Sequence, residues 1–183
     1  MLKKIGRDSI LTDDYDTISK SKIIIFPGVG TFDNVMQNIY EKKIDEAIFN
    51  SLENDSKLLG ICVGMQALFS RSDEGNLDGL NLIKGEIKKF KFEDKTFKIP
   101  HMGWNKVNFV ESKFKENLLQ NRFYFVHSYF ATCEEKKDIL GTTNHSVDFV
   151  SSVKKKNIYG VQFHPEKSHF FGKKFLEIFL GND

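Results

Sequence analysis

The residues with chemistry to offer stand far apart along the chain. Cys62 sits in Gly60-Ile61-Cys62-Val63-Gly64, and a second group, His164-Pro165-Glu166, follows Val161-Gln162-Phe163. A thiol, an imidazole and a carboxylate are the nucleophile, the base and the orienter of that base in covalent acyl transfer. In an extended segment His164 and Glu166 project to the same side, and Pro165 fixes the backbone between them. The carboxylate can then hold one imidazole tautomer and stabilise the imidazolium. His101 and His127 stand beside distinctive motifs but have no evident carboxylate partner, and His145 and His169 read as surface residues.

Positioning such a triad needs a sharp turn after a buried strand. Leu58, Leu59 and Ile61 supply the strand, and Met65 to Phe69 begin a helix. Cys62 between them matches the form of a nucleophile elbow, which exposes its nucleophile at the top of a sheet. The glycines at 60 and 64 let the backbone pass without a Cβ clash. The helix N-terminus favours a thiolate and developing negative charge. Taken alone, the pentapeptide fits a buried structural cysteine equally well; the distant His-Pro-Glu argues for catalysis.

A second strand-to-helix loop, Pro27-Gly28-Val29-Gly30, follows the β-branched run at 22–26. It can be a plain turn, or it can aim backbone N–H groups at an oxyanion. It lacks the Lys-Ser/Thr of a phosphate loop. Thr31 is placed to cap the next helix, where Phe32, Val35, Met36, Ile39 and Tyr40 recur at helical spacing. Ile44, Ala47, Ile48 and Leu52 form another apolar helix face. Residues 82–110 read as short strands broken around 99–104. Residues 122–130 read as one strong strand, and 147–153 with 157–163 as a hairpin turning at the solvated lysines 154–156. Phe171, Phe175, Ile178 and Phe179 make a core stripe on the last helix. Alternating strand and helix signals point to an α/β fold with a mainly parallel sheet.

With 183 residues, the chain is expected to form a single domain over 1–183. Lysine and arginine total 27 against 25 acidic residues, a balance that gives no reason to expect nucleic-acid or membrane binding. The two cysteines, Cys62 and Cys133, show no zinc-ligand spacing, so neither metal nor cofactor is expected. The absence of a membrane-length apolar run and the sparing use of cysteine fit a soluble cytoplasmic protein.

Together these segments resemble the class I (triad-type) glutamine amidotransferases over nearly the whole chain. Gly-Ile-Cys-x-Gly-Met-Gln and Gln-Phe-His-Pro-Glu carry the likeness. Pro-Gly-Val-Gly at 27–30, Pro-His-Met-Gly-Trp-Asn at 100–105, Phe-Val-His-Ser-Tyr at 125–129 and Glu166-Lys167-Ser168 narrow it to glutaminase subunits of imidazole glycerol phosphate synthases. The resemblance implies a flavodoxin-like fold with an added antiparallel portion. It also implies hydrolysis of glutamine by Cys62, His164 and Glu166. The oxyanion would be held at Gly28, Val29, Gly30 and Val63, and glutamine by Gln66, Ser128 and Tyr129. Trp104 and Lys167 would lie at the interface with a (β/α)₈ cyclase subunit, forming a heterodimer that receives the ammonia and makes imidazole glycerol phosphate and AICAR. A paralogue feeding a sugar-modifying amidotransferase for surface polysaccharide shares the same motifs. A non-catalytic binding subunit and a cysteine hydrolase on a related fold are further readings.

Two departures stand out. Val63 occupies a position where the family usually has leucine. Family members also open with a buried strand and an Asp-Tyr-Gly-x-Gly-Asn-like turn, whereas Met1–Gly6 here resembles the end of the helix that follows. On that reading the first strand is missing, through truncation or a start codon assigned too late, and Ser9-Ile10-Leu11 forms the second strand.

Overall fold

A computed structural model describes residues 1–93, 96–117 and 121–181. A 3₁₀ turn at Leu2–Ile5 ends on Gly6, and α1 (Tyr15–Ser19) follows an extended stretch. Ser9-Ile10-Leu11 is not a strand: Ile10 and Leu11 are 81% and 98% exposed. The acidic residues that follow explain this. Asp13 pairs with Lys42 at 2.6 Å, and Asp14 accepts the Thr17 N–H at 2.8 Å as the N-cap of α1. The segment is therefore drawn into a helix cap instead of a ladder.

The parallel part of the sheet forms where the apolar runs lie. β1 (Ile23–Gly28) pairs in parallel with β2 (Lys57–Cys62), joined by α2 (Phe32–Glu41) and α3 (Ile44–Glu53). The short α4 (Val63–Gln66) begins at once after Cys62. Next come β3 (Gly85–Lys89), β4 (His101–Lys106), β5 (Asn108–Phe109) and α5 (Ser112–Asn117). The run at 122–130 is two strands, β6 (Arg122–His127) and β7 (Tyr129–Cys133), parted at Ser128. β8 (Ile139–His145), β9 (Val147–Lys155), β10 (Ile158–Val161) and α6 (His169–Leu180) complete the order.

Among the described residues the large sheet runs β1-β2-β10-β9-β7-β3, with β8 also on β9 and β5 on β8. The α/β architecture with an antiparallel portion is as expected, but the parallel share is smaller than a mainly parallel sheet. It covers β1, β2 and β10, and the other ladders are antiparallel. Tight connections dictate this, because strands joined by a few residues, such as β9 and β10, can only pair antiparallel. β4 and β6 form a separate antiparallel pair.

Successive residues of β2 serve opposite faces, as the pleat requires. Leu58 packs with Met36, Ile39 and Ile48 of α2 and α3, while Leu59 and Ile61 join the aromatic cluster under α6. In that cluster Phe163 stacks on Phe123 at 4.0 Å and meets Phe175 edge-on at 5.4 Å. The stripe on α6 is as the spacing predicts, with Phe175, Ile178 and Phe179 buried.

Candidate active site

Cys62 ends β2 with φ 56° and ψ −115°, a left-handed φ that a residue with a Cβ rarely adopts. Such a turn aims the side chain off the strand while α4 starts immediately behind it. The turn is braced against β1: a Cβ on Gly64 would strike the Phe26 carbonyl, and one on Gly28 would strike the Gly64 amide. The two glycines thus allow β1 and the elbow to touch backbone to backbone.

His164 arrives from the other side. Its N–H donates to the Tyr124 carbonyl at 2.9 Å, and a 3₁₀ turn over Pro165–Lys167 places Glu166 under the ring. His164 Nδ1 lies 2.7 Å from Glu166 Oε1. Nε2 is buried and has no hydrogen-bond partner among the described residues. Burial has the largest influence on the ring and pulls its pKa down. The Cys62 sulfur and the Glu166 carboxylate together outweigh it and bring the value to about 9. At Glu166 partial burial is the largest single influence and raises the pKa, but the hydrogen bond to His164, a backbone hydrogen bond and the nearby His164 and Lys167 charges together outweigh it and lower the value. Cys133 behaves oppositely, its thiol pushed up to about 12 by burial and by Asp138.

A pocket of about 360 Å³ joins these groups, a size suited to a small ligand. Gly28, Val29, Gly30, Cys62, Val63, Gln66, Ser128, Tyr129, His164 and Lys167, all singled out from sequence, line it. Glu166 acts from behind His164. Trp104 lies elsewhere, 40% exposed and stacked flat on His169 at 5.7 Å.

Glu74, Gln162 and His127 also line or support the pocket, with no role assigned to them from sequence. Glu74 lines the pocket and accepts the Phe32 N–H at 2.8 Å, capping α2 in place of Thr31, whose side chain makes no cap bond. Gln162, fully buried, donates to the Cys62 sulfur at 3.7 Å and accepts from Gln66 Nε2 at 2.9 Å; its place within the His-Pro-Glu motif was the available signal. His127 also lines the pocket. It and His101 bond to each other at 2.9 Å, and neither bonds a carboxylate among the described residues. His145 is half buried against His101 instead of lying free on the surface.

Comparison with known proteins identifies the family. A family model described as glutamine amidotransferase class-I matches residues 6–180. The chain is 51% identical over 183 residues to imidazole glycerol phosphate synthase subunit HisH 2 of Methanococcus maripaludis, covering 98% of this chain and 90% of that one. It is 37% identical to subunit HisH of Bacillus subtilis, covering 97% and 86%. A solved glutamine amidotransferase shares the fold with a TM-score of 0.74 at 16% identity, over 98% of this chain and 88% of that one. With a family match over nearly the whole chain and relatives at this identity, the chain belongs to the class-I glutamine amidotransferases.

Proposed function

We propose that the chain, as one amidotransferase domain, is the glutaminase subunit of an imidazole glycerol phosphate synthase. In this reading it releases ammonia from glutamine for a (β/α)₈ cyclase partner in cytoplasmic histidine biosynthesis. The identity to subunits of that name supports this over a sugar-modifying paralogue. No helix among the described residues is long and apolar enough to cross a membrane.

The observation that carries the chemistry is a strained cysteine and a carboxylate-held histidine opening on one pocket. The Cys62 thiolate attacks the side-chain amide carbon of glutamine. The oxyanion falls to backbone N–H groups of Val63 and the Gly28-Val29-Gly30 loop. Gln66, Ser128 and Tyr129 hold the substrate. With a pKa of about 9, His164 is an imidazolium at neutral pH, ready to protonate the departing nitrogen as the carbon–nitrogen bond breaks. Acylation removes the charge on sulfur, and with it part of what raised the His164 pKa. Burial then pulls the ring toward the neutral form that accepts a proton from water. That water attacks the thioester, releasing glutamate and restoring the thiolate. Trp104 and Lys167 lie toward the cyclase, which takes up ammonia before solvent can protonate it.

Cys62→Ala tests this directly. Glutamate release, assayed with the cyclase present, should vanish; retained turnover would refute the assignment.

A further inference from the structure

In the pocket wall and just behind it, two buried histidines, His127 and His101, are bonded in a way that allows a single arrangement of protons. His127 Nδ1 lies 2.7 Å from the Tyr129 carbonyl oxygen. A carbonyl only accepts, so Nδ1 carries the hydrogen. At the far end His101 Nε2 faces Asn105 Nδ2 at 3.1 Å. That amide cannot be turned round, because Nδ2 also donates to the Asn144 carbonyl at 2.8 Å and Oδ1 accepts the Lys106 N–H at 2.7 Å. His101 Nε2 is therefore an acceptor, and its Nδ1–H donates to His127 Nε2 across 2.9 Å. Both rings are neutral Nδ1–H tautomers. Adding a proton to either would set two donors face to face.

The surroundings reinforce this. Burial holds His127 at about 3 and His101 at about 4. His101, His145 and His164 all act on His127 as potential cations that oppose its protonation, while the bond to the Tyr129 carbonyl favours it. The His101 ring is clamped between His145 at 4.2 Å and Phe125 at 4.9 Å.

What this pair fixes is the Tyr129 carbonyl. Gln66 Nε2 closes on the same oxygen at 3.4 Å, and Gln66, His127, Ser128 and Tyr129 all line the pocket. We propose that His127, held in its Nδ1–H tautomer by His101, is a positioning residue that sets the Ser128–Tyr129 wall and Gln66 for binding glutamine. This rests on the reading of the pocket as a glutamine site. A neutral donor suits the place, since a second cation there would oppose the imidazolium form of His164.

Kinetics of the full chain with its cyclase partner test the role. His127→Phe keeps a ring but no donor, and KM for glutamine should rise about tenfold, the worth of one hydrogen bond, with a smaller change in kcat. His127→Asn places an amide N–H where Nδ1–H was and should recover most of the loss, whereas His127→Gln should not. Independently of how variants fold, long-range ¹H–¹⁵N correlation on the unmodified chain at neutral pH should show Nδ1-protonated neutral rings at 101 and 127. An Nε2–H tautomer or an imidazolium at either position overturns the proposal, as does an unchanged KM in a folded His127→Phe. Absence of glutamine turnover in the unmodified complex would instead refute the glutaminase reading, while the tautomer measurement would still stand on its own.

Discussion

Gly64→Ala sets two effects of opposite sign against each other. Gly64 lies in α4, where alanine ordinarily gains about 1 kcal/mol over glycine. The added methyl, however, would overlap the Phe26 carbonyl oxygen and come within 3.1 Å of its carbon and 3.2 Å of the Gly28 nitrogen. All three atoms are backbone, and β1 is held along its length by its register with β2. No side-chain rotation relieves the clash, so the strand or the elbow must retreat. Overpacking costs about 1–3 kcal/mol, and a rigid obstacle belongs at the upper end. The net expectation is a loss of about 2 kcal/mol, or a urea midpoint lower by about 1 M for an m-value of ~2 kcal/mol/M. A shift of about 1 Å between Gly28 and Cys62 should also cut turnover by about 100-fold. Denaturation and glutamate release would be measured on the same preparation. A variant as stable as its parent and fully active refutes the idea that backbone contact between β1 and the elbow shapes the site.

Two further outcomes follow from the site. A histidine whose pKa rises from 6.5 to about 9 on folding lends stability that is complete below about pH 6.5 and lost as pH climbs through 9. Glu166→Gln should shrink that loss by no more than about 1 kcal/mol, because the carboxylate is 48% exposed and screened by solvent. Denaturation curves of the two proteins should differ most near about pH 6 and converge above about 9; a gap independent of pH in that range contradicts the assignment. At the start of α2, Thr31→Ala should change stability by less than about 0.5 kcal/mol, whereas Glu74→Ala should cost about 1 kcal/mol. Equal losses in thermal melts would show that the distant carboxylate is not the cap.

The site was legible because its chemistry is written in short contiguous stretches. The elbow is local strand-to-helix geometry around Cys62, and the His164–Glu166 bond spans two residues, so both lie within short motifs, although a 3₁₀ turn over Pro165–Lys167 and not an extended segment brings Glu166 to the ring. What escaped depends on residues meeting across the fold. Glu74 reaches Phe32 from another loop, and nothing near Thr31 announces that its hydroxyl would be left out. The run at 122–130 looks like one strand because its apolar residues continue unbroken. Its division at Ser128 appears only when β6 pairs with β4 and β7 turns to β3. Ser9-Ile10-Leu11 reads as a strand from its neighbours in the family, yet Asp13 and Asp14 commit it to a pairing with Lys42 and a helix cap.

The stacking of Phe163 on Phe123 decides which half of the reacting pair can travel. His164 follows Phe163 directly and is tied through its own amide to Tyr124. Turning the imidazole about its own side-chain bonds would break its 2.7 Å contact with Glu166, and shifting its backbone would drag a ring from the middle of the aromatic cluster. The sulfur hangs on one rotatable bond at the mouth of a four-residue helix. Any adjustment that brings sulfur and Nε2 into bonding contact therefore falls to the cysteine, with the histidine as the fixed post.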